Sequence, residues 1–291
     1  MMNNKYKGIL NASVSSASFG LIPLFSIPVL ASGMLLPSLL VYRFCFGCLA
    51  MLAILLYNKT SMRISFGDTL RISLLSLLYA VSALALIEGY KYMPSGVATT
   101  LLFSYPVWTA ILMILFCHKK LSSWIAGAII LAVGGVYFLS GFNSSGGFGS
   151  LKGLLLELFA GFNYAVYMVI FPMMKIRKMP SLKVTFYVFF FAMLMLLLYA
   201  SFSTGGLQPI TTSGSLINLI LLGLLPTALS NVTLIMSLKQ IESTMVAVLG
   251  AFEPMTAMIV GILAFGEPLS MAVVAGFILI VSSVVILIFK G

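Results

Sequence analysis

Apolar runs of about twenty residues, repeated along almost the whole chain, restrict its fold more than any other feature. They lie near 8–30, 36–57, 70–90, 95–117, 122–141, 151–173, 182–202, 214–237, 243–265 and 270–289. Each is long enough to cross the hydrocarbon core of a bilayer as a helix. A helix satisfies its own backbone donors and acceptors in lipid, whereas an open sheet leaves an unpaired edge. The chain is therefore expected to be an all-α integral membrane protein with ten transmembrane helices. Connections are short, and 61% of residues are hydrophobic against 8% charged. A soluble domain is about one quarter charged, so no sizeable soluble domain fits.

The net charge of +10 taken alone would suggest nucleic acid. Its distribution argues for a membrane instead. With a cytoplasmic N-terminus and alternating spans, Lys5, Lys7, Lys59, Arg63, Arg71, Lys119, Lys120, Lys175, Arg177, Lys178, Lys183, Lys239 and Lys290 fall inside. Lys91 and Lys152 fall outside and Arg43 lies within a helix, a division of 13 against 2 among 16 basic residues. The positive-inside rule accounts for this bias without a polyanionic partner. The expectation is a multi-pass protein of the cell (inner) membrane, both termini cytoplasmic, with the lipid bilayer as partner and no nucleic acid. Lys5 and Lys7 before the first run resemble a signal peptide, but the equally apolar runs that follow favour an uncleaved span.

Little in the chain suggests catalysis. Cys45, Cys48 and Cys117 fall in predicted helices, and the CxxC spacing of the first two lacks a second ligand pair, so packing is the expected role. His118 is the sole histidine and sits beside lysines in a predicted cytoplasmic turn. The SSGGFGS stretch reads as a flexible outer loop. No metal cluster, Ser-His-Asp set or phosphate-cradling glycine loop is visible. Neither enzyme activity, nor a metal, nor a cofactor is expected.

Shifting the chain by 148 residues lays IEGYKYMPSGVATTLLFSYPVWTAILMILFCHKKLS over IMSLKQIESTMVAVLGAFEPMTAMIVGILAFGEPLS without a gap. Lys91 matches Lys239, Ser95 matches Ser243, Pro106 matches Pro254, and Leu121-Ser122 matches Leu269-Ser270. Such internal similarity marks a duplicated unit. Two halves follow, 1–145 and 146–291, each a five-helix repeat. An odd number of spans starts the second half on the opposite side, so the repeats are inverted. Inverted repeats are a recurring plan of secondary transporters, with the substrate site near midplane at the repeat interface.

These residues resemble the EamA-type transporters of the drug/metabolite transporter superfamily. The resemblance rests on GYKYMPSGVATTLLFSYPVWTAIL, on LGAFEPMTAMIVGILAFGEPLS, on the FG and YAVY of the first and sixth runs, and on Arg43. It implies ten helices around a central cavity lined by the first, third, fourth, sixth, eighth and ninth. It also implies carriage of amino acids and other small metabolites, often outward. The chain departs from the family at Cys117-His118-Lys119-Lys120-Leu121, where Gly-Glu-x-Leu is usual, and at Glu88, where an aromatic or apolar residue is usual.

Glu253 is the first candidate site residue. On a helical wheel it shares a stripe with Gly250, Thr256, Ala257, Gly261 and Ala264, while Phe252, Met255, Ile259 and Ile262 lie elsewhere. Small and polar residues face helix neighbours in a bundle. A carboxyl group there can bind a substrate ammonium, exchange a proton, or brace the backbone loosened by Pro254. Around it, Phe19, Ser16, Tyr79, Tyr105, Asn163, Tyr164, Tyr167 and Asn231 could form a mostly apolar pocket with a few polar anchors; each alone also fits ordinary packing. Arg43, Glu88 and Glu157 are outer-gate candidates, with Arg43 and Glu88 expected to form an ion pair. Glu267 reads as a helix N-terminal carboxylate.

The expected function is secondary transport of small metabolites, amino acids or related compounds among them, by alternating access in the export direction, with proton coupling open. The alternatives are a channel-like facilitator and a membrane assembly subunit without transport.

Overall fold

The computed structural model describes residues 4–93, 95–117, 122–139, 150–266 and 271–290, and every regular element among them is helical. The first apolar run is two helices, α1 (Asn4–Phe19) and α2 (Ile22–Ala31). Single helices α3 (Leu36–Tyr57) and α4 (Phe66–Gly89) follow. Pro37 lies in the first turn of α3, where a missing N–H loses no helix bond. Ser65 caps α4 by accepting from the Asp68 backbone N–H. The fourth run is again divided, into α5 (Ser95–Leu102) and α6 (Tyr105–Cys117), and α7 (Ser123–Leu139) closes the first half.

In the second half, α8 (Leu151–Met173) and α9 (Ser181–Ser203) flank a 3-10 turn at Lys175–Lys178. α10 (Ser213–Gly223) runs through a π-helical turn, Leu224–Leu229, into α11 (Ser230–Gln240). Pro226 has no N–H to continue the ladder, and the Thr227 hydroxyl donates to the Leu222 carbonyl at 2.7 Å. The ninth run divides into α12 (Ser243–Leu249) and α13 (Phe252–Phe265), and α14 (Met271–Lys290) ends the chain.

The fourth and ninth runs break in phase. Tyr105 opens α6, and its counterpart under the 148-residue shift, Glu253, lies in the first turn of α13. Pro106 and Pro254 fall in the same first turns. A helix start needs no intrahelical donor, so proline is accommodated there and would disrupt an unbroken span.

Among the described residues, eight segments are long and apolar enough to cross a membrane: Asn4–Ala31, Leu36–Tyr57, Phe66–Gly89, Ala98–Phe116, Leu151–Met173, Ser181–Ser203, Ser213–Gln240 and Ser243–Phe265. α7 and α14 stand where the fifth and tenth spans were expected, but the qualifying apolar stretches, 123–135 and 274–283, are shorter. The chain is thus a multi-pass, all-helical membrane protein. Exposed leucines and aromatics such as Leu74, Leu77, Leu115, Phe116, Phe159 and Leu198 face outward, as a lipid-facing surface requires. The expectations for His118, Lys119, Lys120, the SSGGFGS loop and Glu267 lie outside the described residues.

Helix pairing follows the internal repeat. α1 packs on α11, and its counterpart under exchange of halves, α8, packs on α4. α3 packs on α9 and α7 on α14, pairs that exchange into themselves. Two recesses mark the ends of the bundle. One, of about 450 Å³, gathers Ala31, Tyr90, Lys91, Ser95 and Phe265. The other, of about 320 Å³, gathers Met113, Met173, Arg177, Gln240 and Glu242.

Candidate functional site

The in-phase breaks bring Tyr105 and Glu253 together in the centre of the bundle. The Tyr105 hydroxyl donates to one oxygen of the Glu253 carboxyl group. The other oxygen, Oε1, has no hydrogen-bond partner among the described residues. The Tyr105 hydroxyl also lies against Gly250, where any Cβ would overlap it, so only glycine admits the ring there. Glu253 therefore reaches across to the other half of the chain, and among the described residues its Oε1 makes no bond to the backbone near Pro254. The carbonyl released at the end of α12 is met by Ser16 instead, whose Oγ lies 3.1 Å from the Leu249 oxygen and 2.8 Å from that of Ala12.

Aromatic rings surround this pair. Tyr164 meets Tyr105 edge-on with centroids 5.0 Å apart and stacks on Phe19 at 5.8 Å. Tyr79 lies 6.5 Å from Tyr164 and 5.9 Å from Tyr167, both edge-on. The Asn231 amide donates to the Tyr79 hydroxyl at 2.9 Å and to the Thr227 carbonyl at 3.0 Å. These residues come from α1, α4, α6, α8, α11 and α13, the runs expected to line a cavity. All nine central candidates are buried, from 1% exposure at Tyr167, Asn231 and Glu253 to 8% at Asn163. Asn163 stands apart in its bonding, because its amide donates to the Phe159 carbonyl of its own helix at 2.8 Å. Phe44 and Phe189, not among the candidates, complete the ring set: they stack at 5.1 Å, and Phe189 lies 5.0 Å from Tyr79.

The expected Arg43–Glu88 ion pair is not formed. Arg43 is wholly buried, and its Nε donates to the Thr227 hydroxyl at 2.7 Å. Its guanidinium lies 5.8 Å from the Phe19 ring centre and 5.6 Å from that of Phe44, within cation–π range. Glu88 pairs with Lys91 at 2.7 Å near the surface, one helical turn away. The reason is depth. Arg43 is seven residues into α3, about 10 Å along the axis at 1.5 Å per residue, whereas Glu88 is next to the last residue of α4. A surface cation reaches Glu88 at far lower cost than a buried one.

The three gate candidates therefore do not cluster. Glu157 is the unexpected member: it is wholly buried, lies against Gly89, and neither carboxyl oxygen has a partner among the described residues. The pairing of Arg43 with Thr227 is what the sequence reading missed. Its signal was Pro226, which forces the local change of helix winding that frees the Thr227 side chain. The helix breaks were signalled by the matched Pro106 and Pro254.

Chemically, the centre offers a carboxyl oxygen free to take a proton or a cation, aromatic faces, and a guanidinium with Nη1 and Nη2 unpartnered among the described residues. Such a set suits a small polar ligand in an apolar enclosure.

The EamA-like transporter family matches residues 6–141 and again residues 151–289. Among curated proteins, none matches. Of solved structures, 29 chains match. One, described only as "Crystal structure of protein", has a TM-score of 0.79, with 97% of this chain and 96% of that chain covered at 16% identity. At that identity the likeness concerns the fold.

Proposed function

The chain belongs to the EamA-like transporter family, and on that premise we propose that it is a secondary transporter of small metabolites, amino acids or related compounds, working by alternating access and serving as an exporter. It sits in the inner membrane with both termini cytoplasmic, as ten spans in two inverted five-helix repeats. The exchange pattern of helix pairing supports a two-fold relation between the halves, carrying α1–α11 into α8–α4, and an odd number of spans in each half makes that relation an inversion.

One observation carries the transport reading: the two in-phase helix breaks deliver Tyr105 and Glu253 to one buried point, bonded to each other. Broken helices at midplane build the ligand sites of many transporters. Intramembrane carboxyl groups are costly and by default functional. Here the carboxyl keeps one oxygen free inside an aromatic enclosure. Burial of the nine central residues favours a carrier that occludes its ligand over a static pore, which requires a continuous polar path. Glu253 is the midplane anchor and exchanges a proton during the cycle.

Counterflow in liposomes containing only this protein, run against a panel of amino acids and metabolites, tests the reading. Glu253→Gln separates the roles of the carboxyl group. Loss of proton-driven uphill transport with exchange retained is the result expected. Loss of both points to ammonium binding, and near-wild-type behaviour in both overturns the functional role. Absence of counterflow for every compound leaves the assembly-subunit alternative, and flux too fast for a carrier leaves the channel.

A further inference from the structure

Six acidic residues occur in the chain, and two of them, Glu157 and Glu253, are buried in the bundle. Three of their four carboxyl oxygens have no hydrogen-bond partner among the described residues. In folded proteins roughly nine in ten buried polar groups are paired, and a buried charge left without a partner is strongly destabilising. Two such groups in one bundle need an explanation.

Their setting supplies one. The recess of about 450 Å³ at the end of α4 is walled by Tyr90 and Ser95. Gly89, next to Tyr90, is the residue against which the Glu157 carboxyl lies. A Cβ at Gly89 would overlap that carboxyl, so the glycine is what admits it. One turn further along α8, Gly161 lies against Ser104, the residue before Tyr105. The hydroxyl oxygens of Ser95 and Ser104 are also buried without partners among the described residues. Unsatisfied oxygens thus occur at Ser95, Glu157, Ser104 and Glu253, from the wall of the recess to the Tyr105–Glu253 pair.

The repeat makes the feature more specific. Under the 148-residue shift Glu157 falls on Ile9, as Glu253 falls on Tyr105. Both buried carboxyl groups belong to the second half, so neither is a by-product of duplication.

We propose that Glu157 is a proton-binding site on a route that leads from the recess at Tyr90 and Ser95 to Glu253. The proton neutralises the buried carboxyl and passes inward when Glu253 exchanges its own. The ionisable groups facing Glu157 are Tyr90 beyond the end of α4 and Glu253 on α13. The nearby basic groups are engaged elsewhere, with Lys91 on Glu88 and Lys152 over the Tyr92 ring, and Arg43 bonds Thr227. This inference deepens the reading of Glu253 as a proton-exchanging anchor and rests on it for the destination of the route.

The test uses the full chain in vesicles of one orientation, with protons as the only ligand. Dicyclohexylcarbodiimide reacts with protonated carboxyl groups in apolar surroundings, and mass spectrometry locates the adduct. Labelling of Glu157 is expected to fall about tenfold per pH unit above its titration, in response to the pH on the side bearing Lys91 and Lys152. It should persist in Glu253→Gln. In Glu157→Gln, labelling of Glu253 should lose its response to the pH on that side. Absence of a Glu157 adduct, labelling that does not change with pH, or labelling that follows only the opposite side would overturn the proposal. Protection by sodium at fixed pH would overturn it in favour of a metal-cation site. Counterflow without Glu157 titration sinks this inference alone; Glu157 titration without counterflow sinks only the transport reading.

Discussion

Arg43 of the first half and Thr227 of the second are joined by a 2.7 Å hydrogen bond at a point with no access to solvent. The bond depends on the π-helical turn in which Thr227 sits. A π turn places one extra residue in the winding and so re-aims the side chains that follow. Arg43 thereby ties α3 to the irregular turn between α10 and α11.

This bond sets a double-mutant test. Arg43→Gln and Thr227→Val should couple in thermal unfolding by about 0.5–3 kcal/mol, as groups in contact do. Arg43→Gln and Glu88→Ala should be additive within about 0.5 kcal/mol, because they share no partner. Strong coupling of Arg43 to Glu88 would contradict the placement.

Tyr105→Phe removes the hydroxyl that serves Glu253. The loss should be about 1–3 kcal/mol in unfolding free energy, the cost of leaving a buried acceptor unpaired. In a Glu253→Ala background the same change should cost less, since no carboxyl oxygen is left to strand. Equal losses in both backgrounds would mean that the bond is absent.

Gly250→Ala places a methyl group where the Tyr105 ring end now lies. Overpacking of this kind costs about 1–3 kcal/mol. At Gly127 and Gly214 no neighbouring atom among the described residues lies within 4 Å of where an alanine methyl group would stand. Alanine at either position should be neutral or gain up to about 1 kcal/mol. Thermal unfolding of the three variants in detergent compares them directly, and a harmless Gly250→Ala would remove the close approach.

Tags placed near Lys5 and after Gly291 should both resist protease added outside intact cells. The basis is the 13-to-2 division of basic residues. Cleavage of either tag from outside would reverse the proposed orientation.

The apolar runs settle the helical membrane class directly from the sequence, because their length matches a bilayer and lipid tolerates little else. The repeat, too, was legible: the matched prolines and the Lys-x-x-x-Ser pairs are local patterns that survive in a linear chain. The repeat also matches Tyr105 with Glu253, but that Tyr164 meets Tyr105 edge-on and Tyr79 meets Tyr164 comes from how the helices pack. Partnerships were not legible. Arg43 and Glu88 looked paired because sequence gives depth only to within a turn or two, and a turn is about 5.4 Å. Arg43 instead found Thr227, 184 positions away, through a turn whose winding depends on Pro226 and its packing. Glu157 read as an outer-gate candidate, and its full burial was not legible: a glycine on another helix leaves room for it. Which oxygen is satisfied, and which is stranded, depends on how helices distant in sequence come into contact, and only the tertiary structure decides that.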